Sequence, residues 1–220
     1  MKRPTIAAAI FATLIGLATP VSAAAPLDVA VVNRGVVELQ TGRAAGISVR
    51  IAEDLANLID DGATRRVLPV IGKGSLQNIT DLKLLRGIDM AILQADVLDY
   101  ARRQDYLPGL EGWITYIAKL YNEEFHLLAR RDIKSVAELA NRPVNVDLRG
   151  AGTTITAGRL FALLNIPVTP TYDDHEVALE KLRKGDIAAL AFVAGKPAPL
   201  FRSIAGEDGL HFLAIPLRPG

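Results

Sequence analysis

From residue 27 onward, short apolar runs alternate with stretches whose apolar side chains recur every three or four positions, and this alternation is written out twice. Helical periodicity buries one stripe of a helix, whereas a short apolar run bounded by turn residues fits a strand buried on both faces of a parallel sheet. In the first half, LDVAVVN (27–33) reads as a strand. ISVRIAEDLANLID (47–60) reads as a helix, with Ile47, Ile51, Leu55, Leu58 and Ile59 at helical spacing. RVLPVIG (66–72) is a strand carrying Pro69, a residue that central strands avoid. SLQNITDLKLLRG (75–87) is a helix opened by Ser75 and closed by Gly87, and IDMAILQ (88–94) is a third strand.

The second half repeats the scheme. PVNVD (143–147), VTPTY (168–172) and DIAALAFV (186–193) read as strands, with helices at 153–165 and 176–185 between them. Asp173-Asp174 supplies an N-cap region for the second of these helices. Between the halves, YIAKLYNEEFHLLARR (116–131) reads as two strands around Asn122-Glu123-Glu124. A short helix at 135–143 follows, and LHFLAIPL (210–217) is a last strand. The expectation is an α/β protein of two lobes, 27–115 and 135–220, joined by a crossing segment at 116–134. Two such lobes face each other across a cleft, and ligands of open α/β sheets gather outside the carboxyl ends of the strands.

Two stretches sharpen this picture. KLLRGIDMAILQAD (83–96) and KLRKGDIAALAFVAG (181–195) share a basic helix end, a glycine, an aspartate and an apolar run. The first ends on Gln94 and Asp96, the second on Val193-Ala194-Gly195. A parallel strand is apolar where buried and opens on the cleft at its carboxyl end. Gln94 is therefore a candidate ligand contact, Asp96 a cap for the following helix, and specificity leans on the first lobe.

Matched Gly-rich turns precede a helix in each lobe: Gly42, Ala45 and Gly46 in one, Gly150, Ala151 and Gly152 in the other. Small residues let backbone N–H groups approach a ligand, and a helix start favours negative charge. The turn GKGSLQN (72–78) adds Ser75, suited to an N-cap, and Asn78, able to reach the cleft. Of Glu123 and Glu124, one is expected to face the cleft from a solvated bend.

Several chemistries are not written here. The turn at Gly150 and Gly152 has Ile155 where a dinucleotide fingerprint has its third glycine, and GKGSLQN lacks the ending of a phosphate-binding loop. No G-x-S-x-G occurs. The chain has no cysteine, and His126, His175 and His211 lack metal-ligand spacing. Neither an enzyme nor a cofactor or metal is expected.

The first residues, MKRPTIAAAIFATLIGLATPVSAAAP, combine Lys2 and Arg3, an apolar run and small residues at Val21-Ser22-Ala23. They read as a secretory signal, residues 1–23, cleaved after Ala23. Of 25 basic and 24 acidic residues, cleavage removes Lys2 and Arg3 and leaves 23 against 24. That balance suggests neither nucleic acid nor an anionic membrane surface as partner. No later segment is long and apolar enough to anchor the chain in a membrane. About 197 mature residues bury an adequate core without disulfides, and export without cysteine fits a bacterial periplasm.

The succession TGRAAGISVRIAEDLA, GKGSLQNITDLKLLRGIDMAILQAD, LYNEEFHLLARRDIKSVAEL and PVNVDLRGAGTTITAGRLF resembles the TAXI family. These are periplasmic solute receptors of tripartite ATP-independent periplasmic (TRAP) transporters. The resemblance runs from about Val32 to Phe201. It implies a type II periplasmic-binding-protein fold that closes on a small organic acid or amino acid such as glutamate and delivers it to membrane permease subunits. Carried over by position, the ligand meets Gly46, Ile47, Ser48, Ser75, Asn78, Gln94, Asp96, Gly152, Thr153 and Thr154.

Ile47 and Ser48 stand where the family often has an aromatic residue, and Ala151 replaces a serine. Asp147 stands where glycine is common, and is expected to point away or pair with Arg149. TAXI receptors continue beyond position 220, so the resemblance implies a C-terminally truncated chain with an incomplete first lobe. The rival readings are an exported enzyme on the same plan, and a truncated non-binding remnant or sensor input domain.

Overall fold

The computed structural model describes residues 33–216, except 45, 63, 197, 199, 201–203 and 205–208. Residues 1–34 and 35–220 form separate units, and the architecture below belongs to the second. The signal sequence lies outside the described residues, as does the strand expected at 27–33 apart from Asn33, which sits in a turn.

The first strand described is β1 (Val36–Gln40), which the sequence pattern did not suggest. VVELQ carries two polar residues, and carboxylates from outside the strand bond to each of them. The Glu38 backbone N–H donates to Asp89 Oδ2 at 2.9 Å, and Gln40 Nε2 donates to Asp81 Oδ2 at 2.7 Å. With β2 (Arg66–Val70) and β3 (Met90–Ala91), β1 forms a parallel sheet of order β2-β1-β3. Leu39 stands opposite both Pro69 and Met90. Proline is tolerated in β2 because that strand lies at an edge. The strand expected at 88–94 shrinks to two residues, after which Ile92 N–H still reaches Gln40 O at 2.8 Å.

Helix α1 (Ile47–Ile59) packs Val49 and Ala52 into this lobe, with Leu39 and Val67 beneath. Leu58 and Ile59, expected on its apolar face, are exposed. Helix α2 (Ser75–Leu84) takes Gly74 as its N-cap, and a φ of +134° there admits glycine and strains other residues. Ser75 is thus the first helical residue, not the cap, and Leu85 rather than Gly87 ends the helix. Helices α3 (Ala95–Arg103) and α4 (Leu110–Trp113) close a small core of Ile79, Val97, Ala101 and Leu110.

Of the two strands expected at 116–131, only the second forms, as β4 (Glu124–Arg130). Residues 114–123 have no regular structure, and Tyr116 and Ile117 are exposed. β4 enters a second, mixed sheet with β5 (Pro143–Asn145), β6 (Thr169–Thr171), β7 (Ala189–Ala194) and β8 (Leu210–Phe212), in the order β6-β5-β7-β4-β8. β5 runs parallel to β6 and β7, whereas β4 runs antiparallel to β7 and β8.

Helix α5 (Gly152–Leu164) ends on Asn165 in the left-handed conformation. Helix α6 (His175–Lys184) starts on Asp174, which accepts from Glu176 and Val177 N–H, and ends on Gly185 at φ +85°. A 3-10 turn at Val136–Leu139 replaces the short helix expected at 135–143. Leu127, Val144, Ala157 and Phe161 fill one side of this sheet; Leu128, Leu179, Leu182 and Leu190 fill the other. Each such leucine contributes about 1.5–3 kcal/mol by leaving water. Among the described residues, no helix is long and apolar enough to cross a membrane.

Candidate functional site

Four helices point their starts at the seam between the lobes, and none is capped by a side chain. The N-cap positions of α1, α2, α3 and α5 are Gly46, Gly74, Gln94 and Ala151, and none makes a side-chain cap hydrogen bond. Helix α6, by contrast, is fully capped by Asp174. An uncapped start leaves N–H donors and the positive end of the helix dipole available to an anion.

Close backbone contact brings these starts together. A Cβ on Gly74 would lie 2.8 Å from Ala151 Cα, so this glycine lets α2 and α5 abut. Gln77 N–H reaches Gly150 O at 3.4 Å. Gln94 extends from α3 across the seam and lies flat on Gly152, where an added Cβ would meet Oε1 at 1.3 Å. Its backbone N–H donates to Ser75 Oγ at 2.9 Å, so the Ser75 hydroxyl ties α3 to α2. In α1, Ser48 Oγ accepts from Gly42 N–H at 2.9 Å and braces the Gly-rich turn.

The crossing segment supplies two further residues. Tyr121 packs over Gly195 beside Ile47, within 3.1–3.3 Å of where a Cβ would stand. It puts an aromatic ring beside Ile47. Its hydroxyl donates to Glu123 Oε1 at 3.3 Å. Burial pushes the Tyr121 hydroxyl up from its ordinary value, and the Glu123 charge adds to the shift. Burial likewise raises the Glu123 carboxyl, against the Gln94 amide and the Tyr121 hydroxyl; the Asp96 charge raises it further.

Side-chain ties complete the contact between lobes. Arg43 Nη1 donates to Asp147 Oδ1, and His175 Nε2 stands 3.4 Å from Asp147 Oδ2. Burial pushes Asp147 up, but the His175 ring, Arg43 and the Leu148 N–H outweigh it and leave the carboxyl below the usual range. Thr156 Oγ1 donates to Asp96 Oδ2 at 2.6 Å, and Arg159 reaches Asp96 O at 3.0 Å.

The structure therefore gathers Gly46, Ile47, Ser48, Ser75, Gln94, Asp96 and Gly152 along one seam. Three other anticipated residues face inward. Asn78 is fully buried, its Nδ2 donating to Thr41 O at 2.8 Å. Thr153 Oγ1 accepts from Val193 N–H at 3.2 Å. Thr154 Oγ1 lies 2.8 Å from both Val146 O and Leu148 O.

Two expectations are corrected. Asp96 is not the cap of α3, since Gln94 holds that position and Asp96 instead bonds across the seam. Asp147 pairs with Arg43 and His175, while Arg149 stacks 3.8 Å over the Tyr172 ring. Sequence reasoning missed Tyr121, and also Arg43, Thr156 and Arg159, whose partners are distant in the chain. The only local signal was Tyr121, two residues before Glu123.

Two α/β sheets joined by a crossing segment, with helix starts meeting at the seam, define a type II periplasmic-binding-protein fold. Residues 39–218 match the NMT1-like family, and the chain belongs to it. Similar solved structures include the GluR0 ligand-binding core from Nostoc punctiforme in complex with L-glutamate. It is 17% identical with a TM-score of 0.56, covering 83% of this chain and 80% of that one. The arginine-bound form of truncated ArgBP from T. maritima is 16% identical, at a TM-score of 0.53 and 84% of each chain. The periplasmic aliphatic sulphonate binding protein SsuA from Escherichia coli is 16% identical, at a TM-score of 0.51. There the match covers 81% of this chain but 56% of the other. These similar structures are binding proteins rather than enzymes.

Proposed function

We propose that this chain is a periplasmic solute receptor of a TRAP transporter, of TAXI type. It captures a small organic acid or amino acid between its lobes and delivers it to the membrane permease subunits. The observation that carries this reading is the meeting of four uncapped helix starts at one seam. Backbone donors arranged in this way hold a carboxylate without a dedicated cation. Gly46, Ile47, Ser48, Ser75, Gln94 and Gly152 line the ligand. Asn78, Thr153 and Thr154 hold the lining in place from behind.

The mechanism is hinge bending in the crossing segment, 116–134. A ligand that touches both lobes favours the closed arrangement by the difference in its affinity for the two states. Arg43–Asp147 and Thr156–Asp96 tie the two lobes on either side of that hinge. The N-terminal 23 residues direct export to the periplasm, and cleavage follows Ala23.

Thermal denaturation against dicarboxylates, amino acids and alkanesulfonates tests the receptor function. A ligand at 100 times its Kd raises stability by about 2.7 kcal/mol. A rise with carboxylates or amino acids is the expected result. No rise with any compound contradicts the proposal, and a rise with alkanesulfonates alone contradicts the carboxylate assignment. Co-reconstitution with a candidate permease tests the transporter type: uptake should require an ion gradient and no ATP.

A further inference from the structure

Glu123 and Asp96 are the seam carboxylates with no cationic partner among the described residues, and of the two Glu123 is the one held only by a tyrosine hydroxyl and an amide. Its neighbour Glu124 pairs with Lys196 at 2.8 Å. Asp147 is held by Arg43 and His175, and Asp99 by Arg103 and Arg159. Asp96 accepts a 2.6 Å bond from Thr156. Glu123 has only neutral donors, the Tyr121 hydroxyl at 3.3 Å and the Gln94 amide. Among the described residues no cationic side chain pairs with it, and the charge that acts on it is the negative one of Asp96.

Its position is built. Tyr121 is wedged against Gly195 and Ile47, and Gln94 is wedged against Gly152, so both donors are fixed by packing on glycine. A half-buried carboxylate accepts about four hydrogen bonds, and these two donors leave acceptor sites open toward the seam. A ligand carrying only negative charge would enter against Glu123 and Asp96. One that also carries an ammonium group would neutralise the former.

We infer that Glu123, positioned by Tyr121 and Gln94, forms an ammonium subsite, and that the ligand is an amino acid rather than an amine-free organic acid. This rests on the receptor reading and narrows its substrate class. The carboxylate of the ligand meets the helix starts, and its ammonium group donates to Glu123. The burial that raises Glu123's pKa would be offset once the cation arrives.

Isothermal titration calorimetry with matched pairs tests the inference: L-glutamate against glutarate, L-aspartate against succinate, and L-leucine against 4-methylpentanoate. In the unmodified chain, at least one amino acid should bind about tenfold or more tighter than its amine-free partner, the scale of a hydrogen bond to a charged group. Glu123→Gln, a near-isosteric change, should bring that ratio within about threefold. The first comparison needs no variant, so a folding defect in Glu123→Gln leaves it intact. Equal or tighter binding of the amine-free acids overturns the inference alone. So does a tenfold preference that Glu123→Gln leaves unchanged. If neither these pairs nor alkanesulfonates bind, the receptor reading falls and takes the inference with it.

Discussion

The two lobes solve the same folding problem with unequal resources. The second has a five-stranded sheet covered on both faces, and its core residues Leu127, Leu128, Leu182 and Leu190 are almost fully buried. The first has three strands, one of them two residues long, and leaves Leu58, Leu84, Leu85 and Ile71 exposed. Yet the first lobe brings three of the four uncapped helix starts and the Gln94 side chain to the seam. On the proposed reading, recognition is concentrated on the thinner scaffold, and the better-packed lobe supplies the opposing face of the seam.

The largest expected effect lies in the second lobe. Leu190→Ala or Leu128→Ala should cost about 2–5 kcal/mol in urea denaturation, whereas Leu58→Ala in the first should change stability by less than about 0.5 kcal/mol. Comparable losses at both sites would erase the contrast.

Removing the tie between the lobes comes next. Arg43→Ala leaves Asp147 buried with only His175 beside it, and should cost about 1–3 kcal/mol at neutral pH. Because the Asp147 carboxyl is depressed in the fold, its contribution is present above the ordinary aspartate range and fades as pH falls through the lower folded value. The difference between the unmodified chain and Arg43→Ala should shrink over that acid range. Urea melts at a series of pH values check this, and a difference that stays constant across the acid range contradicts the role given to Arg43.

A smaller effect separates recognition from folding. Gln94→Ala should weaken ligand binding about tenfold while the melting temperature of the free chain stays within a few degrees, because the side chain bridges lobes rather than filling a core. Gly152→Ala should disturb the same contact from the other side, since its Cβ would occupy the position of Gln94 Oε1. Last, Asp174→Ala removes the cap of α6 and should cost about 1 kcal/mol with no change in affinity.

Legibility in the sequence follows the same divide. The helices at 47–59, 152–164 and 175–184 were readable because their periodic runs are long and begin or end on recognisable residues. β1 was not, because Glu38 and Gln40 interrupt the apolar pattern, and the Glu38 backbone N–H and the Gln40 amide find their partners in Asp89 and Asp81, 51 and 41 residues away. The reverse error occurred at 116–120, where YIAKL has the composition of a strand but no neighbour to pair with among the described residues. At the site, the Gly-rich turns and Gln94 were legible because chain geometry is local. The Arg43–Asp147 and Thr156–Asp96 pairs span 104 and 60 residues, and no short motif announces them.

The central claim is that the uncapped helix starts hold the ligand. An amide NMR titration with the tightest-binding compound of the panel reads them directly. The backbone N–H signals of Gly46, Ile47, Ser48, Ser75, Gly152 and Thr153 should shift together and saturate at one affinity, while those of Glu176 and Val177 at the capped start of α6 stay still. Shifts confined to other surfaces, with the four starts unmoved, would contradict the account.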